Sequence, residues 1–119
     1  MSKVIVLGAS TNPARTSYTA VQRLKAGGYY VLPIGTSKGQ IHGIDMINEP
    51  LLIDDVDTIT LYLNPERQKE YYDYILSLKP KRIIFNPGTE NSAFAQLANE
   101  NNIQVEVACT LVLLATNSY

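Results

Sequence analysis

Cysteine is nearly absent from this chain. A single thiol, Cys109, among 119 residues allows no internal disulfide and no zinc-type cluster. Histidine is equally scarce. His42 stands alone in a glycine-flanked loop, with no sequence-evident partner to orient it as a general base. No apolar run approaches the roughly 18 residues that span a bilayer. Met1-Ser2-Lys3 leads straight into a core-like strand, which does not read as a signal peptide. Charge of one sign is lacking as well: the formal net charge is −1, which excludes broad binding to nucleic acid or to an anionic membrane. Any anion contact must be local. Asp54, Asp55 and Asp57 lack the glycine turn and terminal glutamate of a calcium loop and read as a solvated turn. These absences lead to the expectation of a cytoplasmic protein with no metal site and no catalytic residues.

What is present is an alternation of strand and helix patterns. The length fits one domain over residues 1–119, and an apolar fraction of 45% supplies an ordinary core. Val4-Ile5-Val6-Leu7 is a continuous apolar run, as in a parallel strand buried on both faces. Residues 17–25 carry Tyr18, Val21 and Leu24 at helical spacing and stop at Gly27-Gly28. Residues 29–34 form a second strand, ended by Pro33, and residues 35–50 are irregular, broken by Gly35, Gly39 and Gly43. A third strand over 58–63 is followed by Asn64-Pro65, an N-cap and a first-turn proline. The helix they open runs through Tyr71, Tyr72, Ile75 and Leu76 and stops before Pro80. Residues 82–85, 92–101 and 103–107 read as strand, helix and strand, with a short apolar tail at 110–115.

Strands separated by helices imply an α/β fold, a Rossmann-like, doubly wound parallel sheet of five strands. The expected order is 3-2-1-4-5. Ligands of such sheets lie beyond the strand C-termini where the order reverses, which places the crevice between strands one and four. The loops Gly8-Ala9-Ser10 and Asn86-Pro87-Gly88 meet there, with the strand-three exit Tyr62-Leu63-Asn64 on the same edge.

The first loop has the chemistry of a phosphate site. A strand, a loop of small residues and a helix N-terminus point free N–H groups and a positive dipole end at one place. Against the dinucleotide fingerprint G-x-G-x-x-G, Gly8 matches the first glycine, while Ser10 and Pro13 replace the others. The acidic residue that would hold a ribose diol after strand two is also missing; the chain there reads Gly35-Thr36-Ser37-Lys38. Hydroxyls and a lysine suit a ribose phosphate, which points to NADP or to coenzyme A. Arg15 adds a guanidinium suited to phosphate.

The stretch Val4-Ile5-Val6-Leu7-Gly8-Ala9-Ser10-x-x-Pro13-x-Arg15-x-Ser17-Tyr18 resembles the opening of small stand-alone CoA-binding proteins. These are similar to the N-terminal domain of the succinyl-CoA synthetase alpha subunit. The resemblance continues through Val31-Leu32-Pro33-Ile34, Gly43, Asp54 to Asp57, Pro65-Glu66, Asn86-Pro87-Gly88 and Cys109. It implies a Rossmann-like module that binds coenzyme A or an acyl-CoA, without established catalysis. Gly8, Ala9, Ser10 and Ser17 would meet the phosphates, with Asn12, Pro13 and Arg15 in the same loop. Pro33 and the loop that carries Lys38 would lie near the adenosine. Tyr62, Leu63 and Asn64 would border the ligand, and Asn86, Pro87 and Gly88 would line the pantetheine side. The chain departs from the family at Ile34-Gly35-Thr36, where a Val-Asn-Pro type stretch is common, and at Val107-Ala108, where Asp-Arg often precedes the late cysteine. Cys109 reads as a small buried hydrophobe or as a thiol facing the pantetheine end. The alternatives are an NADP-dependent oxidoreductase-type domain and a ligand-free interaction module. In the latter, the Tyr71-Tyr72-Tyr74 helix and the 110–114 tail would form a homodimer or partner surface. Two outcomes are expected: Gly8→Val blocks binding in a folded domain, and dephospho-CoA binds more weakly through loss of a Lys38 contact.

Overall fold

Val4, Ile5, Val6 and Leu7 have no polar face to offer to water, and they form the interior of a sheet. In the computed structural model, which describes residues 2–119, β1 (Lys3–Leu7) pairs in parallel on both sides. β2 (Tyr30–Ile34) lies on one side in the register Val4↔Val31. After it, β3 (Gln40–Ile41) and β4 (Ile44–Asp45) make a short antiparallel hairpin. β5 (Val56–Leu61) lies on the other side of β1 in the register Leu7↔Leu61. β6 (Arg82–Phe85) and β7 (Gln104–Val107) extend the sheet, so its order is β2-β1-β5-β6-β7, all parallel.

Alternation along the strands sends residues to two cores. Ile5, Leu7, Ile59, Leu61, Ile83 and Phe85 face a core closed by Ile75 and Leu78 of α3 (Tyr72–Leu78) and by Phe94 and Ala98 of α4 (Ser92–Glu100). Val4, Val6 and Val31 face the other, beneath Val21 and Leu24 of α1 (Thr16–Ala26). Helices on both faces of a parallel sheet make the Rossmann-like class expected from the strand and helix pattern.

The strand order corrects the expectation. In chain order it is 2-1-3-4-5 and not 3-2-1-4-5: the third strand lies on the first, not outside the second. Pro33 supplies a physical reason. It does not end β2 but sits inside it, opposite Val6. Its carbonyl faces the outer edge, where it accepts from Ile47 N at 2.8 Å. Its missing N–H would face the same edge, so a full strand there would lose a ladder bond. The returning chain covers that edge instead, with an Ile34↔Ile47 bridge and Gly35 N on Ile47 O at 3.0 Å. The switch point therefore lies between β1 and β5, not between strands one and four.

Three local readings also change. Residues 35–50, expected to be irregular, contain the β3–β4 hairpin. Its two-residue turn His42-Gly43 has φ of 47° and 81°, the pattern of a turn that matches strand twist. The third strand ends at Leu61, which leaves Tyr62 and Leu63 in the exit loop. The helix after it is broken: α2 (Pro65–Gln68), a 3₁₀ turn (Lys69–Tyr71), then α3. Gln68 pins the end of α2 inside the protein, donating to Leu63 O and Thr89 O, each at 2.8 Å. The apolar tail is α5 (Thr110–Ala115).

Candidate functional site

The exits of β1, β2 and β5 come together at backbone distance. Gly8 N and Ala9 N both donate to Ile34 O, at 2.9 and 3.0 Å, which turns the β1 exit toward β2. Gly8 has φ 94°, and a Cβ there would stand 3.0 Å from the Tyr62 carbonyl carbon. A Cβ on Gly35 would stand 2.2 Å from Ala9 O. The loop that follows is braced from within. Ser10 Oγ accepts from Asn12 N at 3.1 Å, Asn12 Oδ1 from Ala14 N at 3.0 Å, and Ser37 Oγ from Thr11 N at 3.0 Å.

This loop delivers the N-terminus of α1. Arg15 is its N-cap residue, with extended backbone and no side-chain cap bond, and its first turn holds no acidic residue. The first N–H groups of a helix have no intrahelical acceptor, so an uncapped start presents them outward with the positive end of the dipole. Ser17 is buried in this turn.

A cleft of about 460 Å³ opens in front of them, within the range of small-molecule sites. Gly8, Ala9 and Ser10 form its floor, with Ala14, Arg15, Thr16 and Ser17 on one side. Gly35, Thr36 and Ser37 come from the β2 exit, and Tyr62, Leu63, Arg67 and Tyr71 from the segment after β5. Among the described residues the lining carries two arginines and no carboxylate, within a chain of net charge −1. The positive charge is therefore local, and an anion is what this cleft can hold.

Of the residues expected at the site, the cleft gathers Gly8, Ala9, Ser10, Arg15, Ser17, Tyr62 and Leu63. The others lie off its wall. Asn12 braces the loop and Pro13 is exposed beside it. Pro33 is buried in β2, and Lys38 is exposed beyond Ser37. Asn64 is the N-cap of α2, its Oδ1 accepting from Arg67 N at 2.9 Å. Asn86 is an interior fastener: Nδ2 donates to Thr60 Oγ1 at 2.6 Å and Leu61 O at 2.8 Å, and Oδ1 accepts from Thr110 N at 2.9 Å. Pro87 and Gly88 are exposed after β6, one strand beyond the switch point.

Sequence reading missed Ala14, Thr16, Arg67 and Tyr71. Ala14 and Thr16 flank Arg15, so a full first-turn reading would have included them. Arg67 and Tyr71 depend on the strand order and on the 3₁₀ break, which local pattern does not carry.

Tyr62, Cys109 and His42 carry three further titratable groups. The Tyr62 hydroxyl is buried beside Thr110 and Thr60 without a well-formed hydrogen bond, and burial pushes its pKa up from 10.0 to about 12. Cys109 is half-buried at the N-cap of α5. His42 is exposed in the hairpin turn, its ring 5.2 Å from that of Tyr18 and outside the cleft. Among the described residues, no group of three His, Cys, Asp or Glu side chains is placed to hold a metal.

A model of the CoA binding domain family matches residues 2–115. Among solved structures, an uncharacterized protein superposes with a TM-score of 0.97 at 47% identity, covering 100% of this chain and 98% of that one. A hypothetical protein from Pyrococcus horikoshii OT3 gives a TM-score of 0.83 at 24% identity, covering 93% of this chain and 80% of that one. The dinucleotide-forming acetyl-coenzyme A synthetase 1 of Ca. Korarchaeum cryptofilum gives 0.72 at 18% identity, over 87% of this chain and 25% of that one. The last two are likenesses of fold alone. No curated protein matches the chain.

Proposed function

The chain belongs to the CoA-binding domain family, and from that premise we propose that it is a module that binds coenzyme A or an acyl-CoA without chemistry of its own. The observation that carries this reading is the uncapped start of α1 opening into a cleft without carboxylates. In this reading residues 1–119 act as one domain. The diphosphate sits on the N–H groups of the first turn of α1, with the Ser10, Thr16 and Ser17 hydroxyls and the Arg15 guanidinium around it. The adenosine extends toward Gly35, Thr36 and Ser37. No carboxylate stands there to favour a free ribose diol. The pantetheine arm leaves past Tyr62 and Leu63.

Isothermal calorimetry against CoA, acetyl-CoA, NADP and NAD in one buffer tests this. Selective binding of CoA or acetyl-CoA is the expected result. Binding of NADP alone would replace the reading with an oxidoreductase-type domain. Binding of none, by protein free of co-purified ligand, would leave the interaction module.

A further inference from the structure

Two arginines line the cleft, and only Arg15 belongs to the phosphate loop. We infer that Arg67 is a second diphosphate-binding cation, acting across the cleft from Arg15, and that it sets the preference for phosphorylated ligands over bare pantetheine. This rests on the CoA reading above.

Arg67 is exposed, its backbone is fixed, and its side chain has no partner among the described residues. Asn64 Oδ1 holds its N–H at 2.9 Å, and Pro65 sets the first turn of α2. The next residue, Gln68, is fully buried and is bonded to Leu63 O, Thr89 O and Asn91 Nδ2. The Arg67 backbone is thus fixed on both sides, and this exposed residue is part of the cleft lining. The adjacent carboxylate, Glu66, is taken by Lys69 at 3.1 Å. The other ion pair among the described residues joins Arg82 to Glu106. No side-chain hydrogen bond of Arg67 occurs among those residues. An arginine held at a cleft without a counter-ion keeps its whole planar fork for a ligand oxyanion.

The sheet order says which oxyanion. β2 and β5 flank β1 on opposite sides. The adenosine end lies at the β2 exit, and Arg67 follows β5, so Arg67 stands away from the ribose phosphate. The diphosphate, centred on β1 and α1, is within its half of the cleft. Arg15 and the helix start meet it from one wall and Arg67 from the other.

The test compares wild type, Arg67→Ala and Arg67→Lys by calorimetry against CoA, dephospho-CoA and pantetheine, at low and high salt. Arg67→Ala is expected to weaken CoA and dephospho-CoA alike by about 10-fold, one charge-assisted hydrogen bond. It flattens the salt dependence and leaves pantetheine and the unfolding temperature unchanged, and Arg67→Lys recovers part of the loss. Arg67→Ala binding CoA as wild type does, with the same salt dependence, overturns the role of Arg67 and leaves the CoA reading standing. A loss seen with CoA and absent with dephospho-CoA overturns the diphosphate assignment. Wild type binding none of the three overturns both readings.

Discussion

The carbonyl oxygen of Ala9 occupies the place where a side chain on Gly35 would begin, 2.2 Å from that Cβ position. Two strand exits touch through backbone at this point, which closes the cleft floor between β1 and β2. Gly35→Ala must push the exits apart, an overpacking that costs about 2 kcal/mol, and it weakens CoA binding through the displaced floor. Urea unfolding and calorimetry on the same sample check both effects. An alanine variant with wild-type midpoint and affinity would show that the contact relaxes without consequence.

Gly8 has a different constraint, which bears on the outcome expected of Gly8→Val. Gly8→Val was expected to block binding in a folded domain. With φ at 94° and the Tyr62 backbone 3.0 Å from any Cβ, a β-branched residue there is strained before a ligand arrives. Gly8→Val is expected to lower the unfolding temperature clearly or to prevent folding. Circular dichroism melts decide this, and a native-like melt would restore the original expectation.

Asn86 holds the ends of β5 and α5 together through Thr60, Leu61 and Thr110. Asn86→Ala leaves buried donors and acceptors without partners and is expected to cost about 3 kcal/mol. Asn86→Ala should alter stability far more than CoA affinity in the fraction that is folded. A stable variant that has lost binding would instead make Asn86 a ligand contact.

Tyr62 makes stability depend on alkaline pH. Its pKa rises from 10.0 to about 12 because burial opposes the phenolate. The folded state then holds a proton that the unfolded state releases. The contribution is complete below pH 10.0 and is lost as pH rises through about 12. Burial also raises the pKa of Tyr119, which adds to the same loss. Tyr62→Phe is expected to remove part of the alkaline slope. It costs little at neutral pH, because among the described residues the hydroxyl it deletes is buried without a well-formed hydrogen bond. Denaturation midpoints of both proteins from neutral to alkaline pH measure this; parallel curves would refute it.

Arg15 and Lys38 are both exposed cations that differ in their place relative to the cleft. Arg15 lines the cleft and Lys38 does not. Arg15→Ala is expected to weaken CoA by about 10-fold, while Lys38→Ala changes it by less than about 2-fold. The opposite ranking in calorimetry would move the phosphate contact to the β2 loop and bear out the Lys38 contact expected from sequence.

Much of the fold was legible because its cues are local. The apolar run of β1, the Asn64-Pro65 helix start and the Gly27-Gly28 stop act through a residue and its near neighbours. So does the small-residue loop that ends in an uncapped helix, which is why Gly8, Ser10, Arg15 and Ser17 could be named together. The turn His42-Gly43 was also local, but glycine was read there only as a breaker.

Sequence alone determined the class: parallel strands, intervening helices and a small-residue loop at the first strand exit, all set by side-chain periodicity and backbone freedom. Tertiary structure decided which exits face each other. Strand order is a choice among pairings distant in the chain, settled by the edge that Pro33 disables and by the register that joins Leu7 to Leu61. That choice put Tyr62, Arg67 and Tyr71 on the cleft and moved Pro87 and Gly88 one strand away, because neighbours across a sheet are fixed by hydrogen-bonded pairing and not by spacing in the chain.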